Sequence, residues 1–206
     1  MDVQQSVPFC CAFIGRGSPG LTVMPRALSR LELHRILEDA SLRSERDAAL
    51  IATTFLTAGR ISEVLAVRYS DVALVEEDVL VVRMPVLKRK KEIWKMIPIV
   101  REDPFSDYMW DYVLASEGPE RIWPIDRTTA WRICRRYGFH PHELRHSRLT
   151  ELSQFMTEDV LKSFAGWKIR SMAGYYLHHG WYHFLPFVRK AAQLAKRQLG
   201  LEEVEA

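Results

Sequence analysis

Apolar positions recur at helical spacing along most of the chain, which predicts a mainly α-helical protein. The first pattern opens at Ser29 and Glu32, a capping box whose side chains can satisfy backbone N–H groups at a helix start. Leu33, Ile36 and Leu37 follow on one face. Ser44 with Asp47 repeats the capping pattern, and the stretch that follows is apolar on nearly every side, which predicts a buried helix. The same spacing predicts further helices at about 45–58, from Ile61, and at about 105–116, 126–137, 142–155, 158–165 and 186–199.

The period changes between residues 78 and 100. The stretches 78–87 and 92–100 are rich in β-branched and other apolar residues, as strands are, and the cationic residues 88–91 lie between them. This arrangement predicts two strands joined by a basic turn. The predicted fold class is therefore mainly α with a small antiparallel β-sheet, an α+β fold.

Composition places the chain among ordinary globular proteins. It has 206 residues, of which 48% are hydrophobic and 27% charged, enough apolar material for a real core. The net charge of +3 permits a nucleic-acid partner without requiring one. No apolar run approaches the roughly 20 residues of a membrane span, and no basic segment precedes the short apolar run 8–14. We therefore expect a cytoplasmic protein with no membrane partner, in the host cytoplasm if a virus or plasmid encodes it.

The cysteines do not form a recognisable framework. Cys10 and Cys11 are adjacent, Cys134 is distant, and no Cys-x-x-Cys pair exists, so neither a disulfide scaffold nor a structural zinc site is indicated. No cluster of Asp, Glu and His has metal-site spacing either. The expectation is chemistry without a metal or other cofactor.

Candidate chemistry begins with His142 and Arg145, which share a helix face because they are three residues apart. Arg145 can grip a phosphate with two parallel hydrogen bonds, and His142 can move a proton beside it. Alone, such a pair is more often a solvated helix face. His140 and His146 are competitors, although His146 should point away from the 142/145 face.

Two further residues fit the same phosphate. Arg60 follows a glycine between a buried helix and a short one, and Glu63, one turn on, can orient it. A buried arginine needs an anion. Trp167 can donate its indole N–H to a phosphate oxygen but cannot act as a base. Each could instead be an ordinary surface or core residue.

The adjacent residues Tyr175 and Tyr176 supply a candidate nucleophile. A phenol with a pKa near about 10 attacks only if nearby cations stabilise its oxyanion, and the two arginines could do so. Because neighbouring side chains face different directions, one tyrosine would react and the other would pack. The turn of Lys88, Arg89, Lys90 and Lys91 is either a solvated hairpin tip or a DNA contact that can protonate a departing 5′ oxygen.

Taken in order and at these separations, the residues resemble the catalytic domain of the tyrosine recombinases, which include integrases and Xer-type site-specific recombinases. The resemblance is carried by residues 57–65, the strand-turn-strand that reaches Pro98, residues 142–146 and residues 165–176. It spans about residues 27–185. Gly-Trp in place of the Gly-His of many relatives, with Lys168 and the Ser-Met before the tyrosines, looks most like archaeal integrases.

The resemblance implies a role for each residue. Arg60 and Arg145 would bind the scissile phosphate, His142 would assist proton transfer, and Trp167 would donate to a phosphate oxygen. Tyr176 would attack to give a 3′-phosphotyrosine and a free 5′ hydroxyl. The catalytic lysine would be Lys88, with Lys90 as the alternative, while Arg89, Lys90, Lys91 and Lys168 would bind DNA.

The resemblance also implies a partner and an assembly. The substrate would be a duplex recombination site, bound by a homo-oligomer that forms a tetrameric synapse on DNA and is weakly associated or monomeric without it. No ATP is needed, because the protein–DNA ester conserves the bond energy. The amphipathic stretch from Pro186, followed by an acidic tail to residue 206, could close on its own core or dock on a neighbouring protomer, and the second is favoured.

The sequence departs from the family at its start. Residues 1–26 are too few for the N-terminal helical domain that usually closes around DNA, and they are predicted to be a tail or one short element. The alternatives are a natural catalytic-domain-only protein, a separated fragment of an integrase or a truncated version of one. Fewer phosphate contacts would make DNA binding weak and salt-sensitive.

Two rival functions remain open on sequence alone. A type IB topoisomerase-like relaxase would share the phosphotyrosine chemistry, although the short length and Xer-like spacing count against it. A non-catalytic DNA-binding regulator of an intact integrase would need none of the candidate catalytic residues, and all of them are present.

Overall fold

A computed structural model describes residues 26–87, 93–115, 120–167 and 180–201 of the chain. The helices among these residues are α1 (Arg30–Arg43), α2 (Glu45–Leu56), α3 (Ile61–Val64), α4 (Asp107–Leu114), α5 (Arg127–Arg136), α6 (Pro141–Leu152), α7 (Glu158–Ala165) and α8 (Trp181–Leu199). A 3-10 turn at Tyr69–Asp71 precedes the strands β1 (Val72–Glu76), β2 (Val79–Pro85) and β3 (Trp94–Val100). The predicted fold class is confirmed.

The polar residues predicted to start helices do cap them. The hydroxyl of Ser29 accepts from the N–H of Glu32 at 3.2 Å, and the hydroxyl of Ser44 accepts from the N–H of Asp47 at 3.3 Å. Each bond satisfies one of the N–H groups that a helix start leaves without a partner. The prediction that α2 is buried is also confirmed, since it is buried on nearly every side.

The three strands form one antiparallel sheet in the order β1–β2–β3. The two predicted strands are β2 and β3, whereas β1 was missed. Most of β1 is exposed and Leu74 and Val75 face solvent, so its sequence lacks the buried face that identifies a strand. Its pairing with β2, from Val72 opposite Val82, defines it as an edge strand.

The sheet lies between two apolar clusters. Leu80 and Met84 of β2 pack with α1, α2, α4 and α5, whereas Val79 and Val81 pack with α6, α7 and α8. A strand buried on both faces reads as a continuous apolar run, as β2 does. The turn after α2, the end of α7 and the start of α6 therefore meet near the sheet, at the junction of the two clusters.

The last helix closes on its own core, which was the less favoured of the two alternatives. Phe184, Val188 and Ala191 are buried against the second cluster, and Phe184 meets Phe164 of α7 edge to face at 5.3 Å between ring centroids. The helix also begins at Trp181, earlier than the predicted start at Pro186, because these aromatic contacts favour an earlier turn. No helix in the described part of the chain is long and apolar enough to cross a membrane.

A buried ion network ties α1 to α6. Arg30 and Arg148 both contact the carboxylate of Asp103, at 2.9 and 3.4 Å, and both also pair with Glu151. Asp103 and Arg148 are completely buried. Burial alone would raise the pKa of the Asp103 carboxyl, but the two guanidiniums hold it below its usual value.

Neutralising Asp103 should destabilise the fold strongly. In Asp103→Asn the buried guanidiniums of Arg30 and Arg148 keep only one acidic partner, Glu151. Breaking a buried pair of this kind lowers the unfolding free energy by about 3–5 kcal/mol. Because the pKa of Asp103 is lower in the folded state, the wild type should lose the same stabilisation as the pH falls below the ordinary carboxyl range. Urea unfolding at neutral and acidic pH measures both effects.

The matched control is Asp78→Asn, which removes a partly exposed contact to Arg189 at 2.7 Å. Its cost should be about 0–1 kcal/mol, as for surface pairs generally. Equal losses for the two variants would contradict a special role for the buried network.

Candidate active site

The turn after α2 is fixed by its own hydrogen bonds and by close packing. The hydroxyl of Thr57 donates to the carbonyl of Thr53 at 2.6 Å and accepts from the N–H of Gly59 at 3.2 Å. A Cβ at Gly59 would lie 2.6 Å from side-chain atoms of both Met84 and Val64, so only glycine fits. Ala58 adopts a φ of 45°, a left-handed conformation that costs about 1–2 kcal/mol for a residue with a Cβ.

Arg60 leaves this turn with its orientation set by Glu63. The backbone N–H of Arg60 and its guanidinium both donate to the Glu63 carboxylate, at 3.1 and 2.7 Å. Glu63 is completely buried, whereas the Arg60 side chain keeps 18% of its surface exposed. The guanidinium is thus anchored on its inner side and accessible on its outer side.

Arg145 joins two distant segments. Its guanidinium donates to the carbonyl of Ala58, in the turn after α2, and to the carbonyl of Ala165, at the end of α7, the latter at 2.8 Å. A guanidinium carries five N–H donors, so these bonds leave donors for a further acceptor. Burial and the nearby charge of Arg60 lower the pKa of Arg145 to about 10, while Glu63 opposes the shift. Arg145 is therefore still a cation at neutral pH.

Trp167 lies beside this guanidinium. Gly166 ends α7 at a φ of 70°, and a Cβ there would lie 3.2 Å from the Val86 side chain. Both the backbone conformation and the packing therefore favour glycine. The next residue, Trp167, is 43% exposed, and its ring centroid lies 5.8 Å from Cζ of Arg145. Within that distance the ring face attracts a cation.

His142 and His140 have different surroundings. His142 is an exposed residue of the first turn of α6 and lies one helical turn before Arg145. His140 caps α6 from outside and faces α5, where its ring nitrogen lies 3.3 Å from the guanidinium of Arg135 and its ring 6.2 Å from that of Trp131. His140 is therefore the weaker candidate for the phosphate.

Arg60, Arg145 and Trp167 are thus brought together, with His142 on the same helix as Arg145. The other candidate residues lie outside the described residues, and these are Lys88, Arg89, Lys90, Lys91, Lys168, Tyr175 and Tyr176. Within the described ranges, no group of three or more His, Cys, Asp or Glu side chains could hold a metal ion.

The structure adds a cation that the sequence reading missed, Lys95 of β3. Its side chain is buried at 7% exposure, and its Nζ lies 3.5 Å from the carbonyls of Thr57 and of Phe164. Burial first, and then the charge of Arg145, lower the pKa of Lys95 to about 7; Glu63 opposes the shift. The signal was a single lysine inside an apolar strand, since lysine is rarely buried without a reason.

The centre is electropositive because its charges do not balance. Arg60, Arg145 and Lys95 act on one another, and Glu63 is the one carboxylate of the described chain whose charge acts on both Arg145 and Lys95. Cations held at fixed positions in a partly buried site stabilise an anion better than mobile water does. The arrangement can therefore bind one phosphate and stabilise additional negative charge on it.

A second cationic surface lies on α5, next to α6. Arg127, Arg132 and Arg135 are exposed there together with Trp131, whose ring lies 5.8 Å from Cζ of Arg135. Arginines interleaved with an exposed aromatic ring suit nucleic-acid phosphates and sugars. Sequence reasoning missed this surface because it looked for DNA contacts in the 88–91 turn.

Comparison with known proteins agrees with this geometry. The phage integrase family model matches residues 26–181, three quarters of the chain, and the chain belongs to that family. It is 28% identical over 141 residues to the tyrosine recombinase XerA of Thermococcus kodakarensis, covering 63% of this chain and 49% of that protein. The chain thus spans about half the length of this curated relative.

Solved structures share the fold. The chain resembles a XerA recombinase structure with a TM-score of 0.54 and 18% identity, covering 91% of this chain and 68% of that one. It also resembles the XerH site-specific recombinase bound to difH substrate, with a TM-score of 0.54 and 17% identity over 83% of this chain and 55% of that one. For the Tn1549 transposon integrase in complex with circular intermediate DNA the TM-score is 0.52 and the identity 14%, over 82% and 66% of the two chains.

Replacing Lys95 should stabilise the protein. Between about pH 7 and pH 10 an unfolded lysine is protonated while the folded one is largely neutral, so folding releases a proton and stability rises with pH. Lys95→Met removes the buried charge and should raise the unfolding free energy near pH 7 by roughly 1–4 kcal/mol, with a smaller gain at pH 10. Thermal unfolding across this pH range measures the difference.

Lys190→Met is the control, because Lys190 is exposed on α8. It should change the unfolding free energy by less than about 0.5 kcal/mol at any pH. A destabilised Lys95→Met protein at neutral pH would contradict the electrostatic description of the centre.

Proposed function

We propose that this chain is the catalytic part of a site-specific DNA recombinase, which cuts and rejoins duplex DNA through a 3′-phosphotyrosine. The observation that carries the proposal is the convergence of Arg60 and Arg145, from distant segments, on one partly buried position with a single carboxylate partner. Membership of the phage integrase family supports the same chemistry.

The first step is binding of the scissile phosphate. The outer face of Arg60 and the remaining donors of Arg145 take its non-bridging oxygens, and the indole N–H of Trp167 supplies a further donor. As the phosphorus becomes pentacoordinate its oxygens gain negative charge, and the fixed guanidiniums stabilise that charge without rearranging. This replaces the role that a metal ion plays in many phosphoryl-transfer sites.

The second step is attack by Tyr176 on phosphorus. The phenol oxygen forms a bond to phosphorus while the bond from phosphorus to the 5′ oxygen breaks. The phenolic proton passes to a base near the phosphate, for which His142 is the proposed residue, and a lysine among residues 88–91 returns a proton to the 5′ oxygen. Lys88 is the proposed donor and Lys90 the alternative. Reversal with another 5′ hydroxyl rejoins the strand without ATP.

DNA is held by surfaces around this centre. The exposed arginines of α5 are proposed contacts, and Arg89, Lys90, Lys91 and Lys168 are the proposed contacts on the other segments. Phosphate contacts of this kind give salt-dependent affinity and set the register of the protein on the duplex. The proposed working form is a homo-oligomer assembled on a duplex recombination site, as a tetrameric synapse.

Covalent trapping identifies the nucleophile. The substrate is a pool of end-labelled duplexes with randomised sequence and a nick in one strand. After cleavage near the nick, the short fragment between nick and cut diffuses away, so the phosphotyrosine cannot be reversed and accumulates. The wild type should give a DNA adduct that survives detergent, and Tyr176→Phe should abolish it, because phenylalanine has no oxygen to attack phosphorus.

Tyr175→Phe is the matched control and should keep the adduct. Sequencing the trapped DNA would also reveal the preferred site. Loss of the adduct in Tyr175→Phe alone would move the nucleophile to Tyr175, and no adduct with any protein would favour a non-catalytic regulator.

The two arginines should contribute to rate more than to affinity. Arg145→Lys and Arg60→Lys keep a positive charge but lose the planar fork, so adduct formation should slow by about 10²–10³-fold on bound DNA. Single-turnover trapping with protein in excess measures this. Arg43→Lys, in an exposed pair with Asp39, is the control and should match the wild type. Equal slowing in the control would contradict the assignment.

A further inference from the structure

The buried amine of Lys95 has no part in the steps above, yet it touches the segments that hold Arg145. Its Nζ lies 3.5 Å from the carbonyl of Thr57 and the same distance from that of Phe164. The next carbonyl along each segment, those of Ala58 and Ala165, accepts from Arg145. Lysine and arginine therefore span the same two segments side by side.

These contacts leave the amine poorly solvated. The nitrogen of a charged donor normally lies about 2.7–2.9 Å from the oxygen that accepts its hydrogen bond. Both contacts of the Lys95 nitrogen are much longer. The side chain is nevertheless buried, and Cδ packs within 3.7 Å of the position that a Cβ at Gly166 would take. A positive charge here gains little from its immediate neighbours and would gain much from a phosphate.

We propose that Lys95 is a positioning residue for Arg145, and that it takes up a proton together with the DNA phosphate. The side chain fills the space between the turn after α2 and the end of α7, so the two carbonyls that orient Arg145 keep their separation. Without DNA the amine is partly neutral, since its pKa is about 7. A bound phosphate restores the proton and completes a site with three cations. This inference rests on the proposed phosphate site.

Other charged groups around Lys95 have to be separated from its effect. The charged groups that act on Lys95 are Arg145 of α6, Glu63 of α3 and Arg60, which precedes α3. His142 lies on α6 and Lys162 on α7, the helices whose residues meet around Lys95. The comparison is therefore made between variants that all retain every one of these groups.

The test measures binding of a labelled mixed-sequence duplex between about pH 6 and pH 9 at constant ionic strength. Because the bound state favours the protonated amine, the wild-type Kd should rise by up to tenfold per pH unit above about pH 7. Lys95→Met should bind about tenfold more weakly at pH 7 and show a flatter profile. Lys95→Arg, charged throughout, should keep its affinity at pH 9. A profile equally steep in Lys95→Met would overturn the proposal.

Calorimetry uses the wild type alone, so its result does not depend on whether a variant folds. Titrations near pH 8 in buffers with different ionisation enthalpies count the protons taken up on DNA binding, and uptake approaching one is expected. Binding without uptake would overturn the role of Lys95 and leave the cleavage reaction standing. Uptake with no covalent adduct in the trapping assay would instead overturn the cleavage reaction.

Discussion

The hydrogen bonds from Arg145 to the carbonyls of Ala58 and Ala165 connect the fold to its chemistry. They join the turn that carries Arg60 to the helix end that carries Trp167, the two segments that Lys95 also contacts. The guanidinium is thus a structural cross-link and, in the proposed function, a phosphate-binding group at once. Because these bonds use only part of its donors, the same group can hold the fold and still face a phosphate.

This arrangement is costly for the folded state. Ala58 is held in a left-handed conformation, two guanidiniums lie close enough to shift a pKa, and an amine is buried beside them. The backbone of Ala58 is sterically unfavourable, and the clustered cations are electrostatically unfavourable without a bound anion. The packing of α2 and the ion network of Arg30, Asp103 and Arg148 offset this cost. Phosphate binding should therefore reduce the electrostatic cost of the cations that are already clustered in the unbound protein.

The sequence predicted the elements well because caps and periodicity are local signals. Ser29 and Ser44 marked helix starts that the structure reproduces, and the pairing of β2 with β3 followed from one basic turn. The prediction from sequence failed where tertiary contacts determine the structure. The exposed edge strand β1 has no buried face of its own, and the start of α8 depends on Phe184 finding Phe164. The burial of Lys95 depends on Thr57 and Phe164, which lie far from it in the sequence, and its only local sign is a lysine inside an apolar strand.

Lys95 lies near the start of β3, a few residues after the cationic positions 88–91 in the sequence. The register of β3 with β2 pairs Lys95 with Met84, the residue that packs against Gly59. A β-strand is nearly inextensible, so a contact on the turn and a contact at Lys95 are not independent. In the proposed function, DNA bound by residues 88–91 would therefore also act on the strand that carries Lys95. DNA binding and the geometry of the proposed phosphate site would then be coupled through one short element.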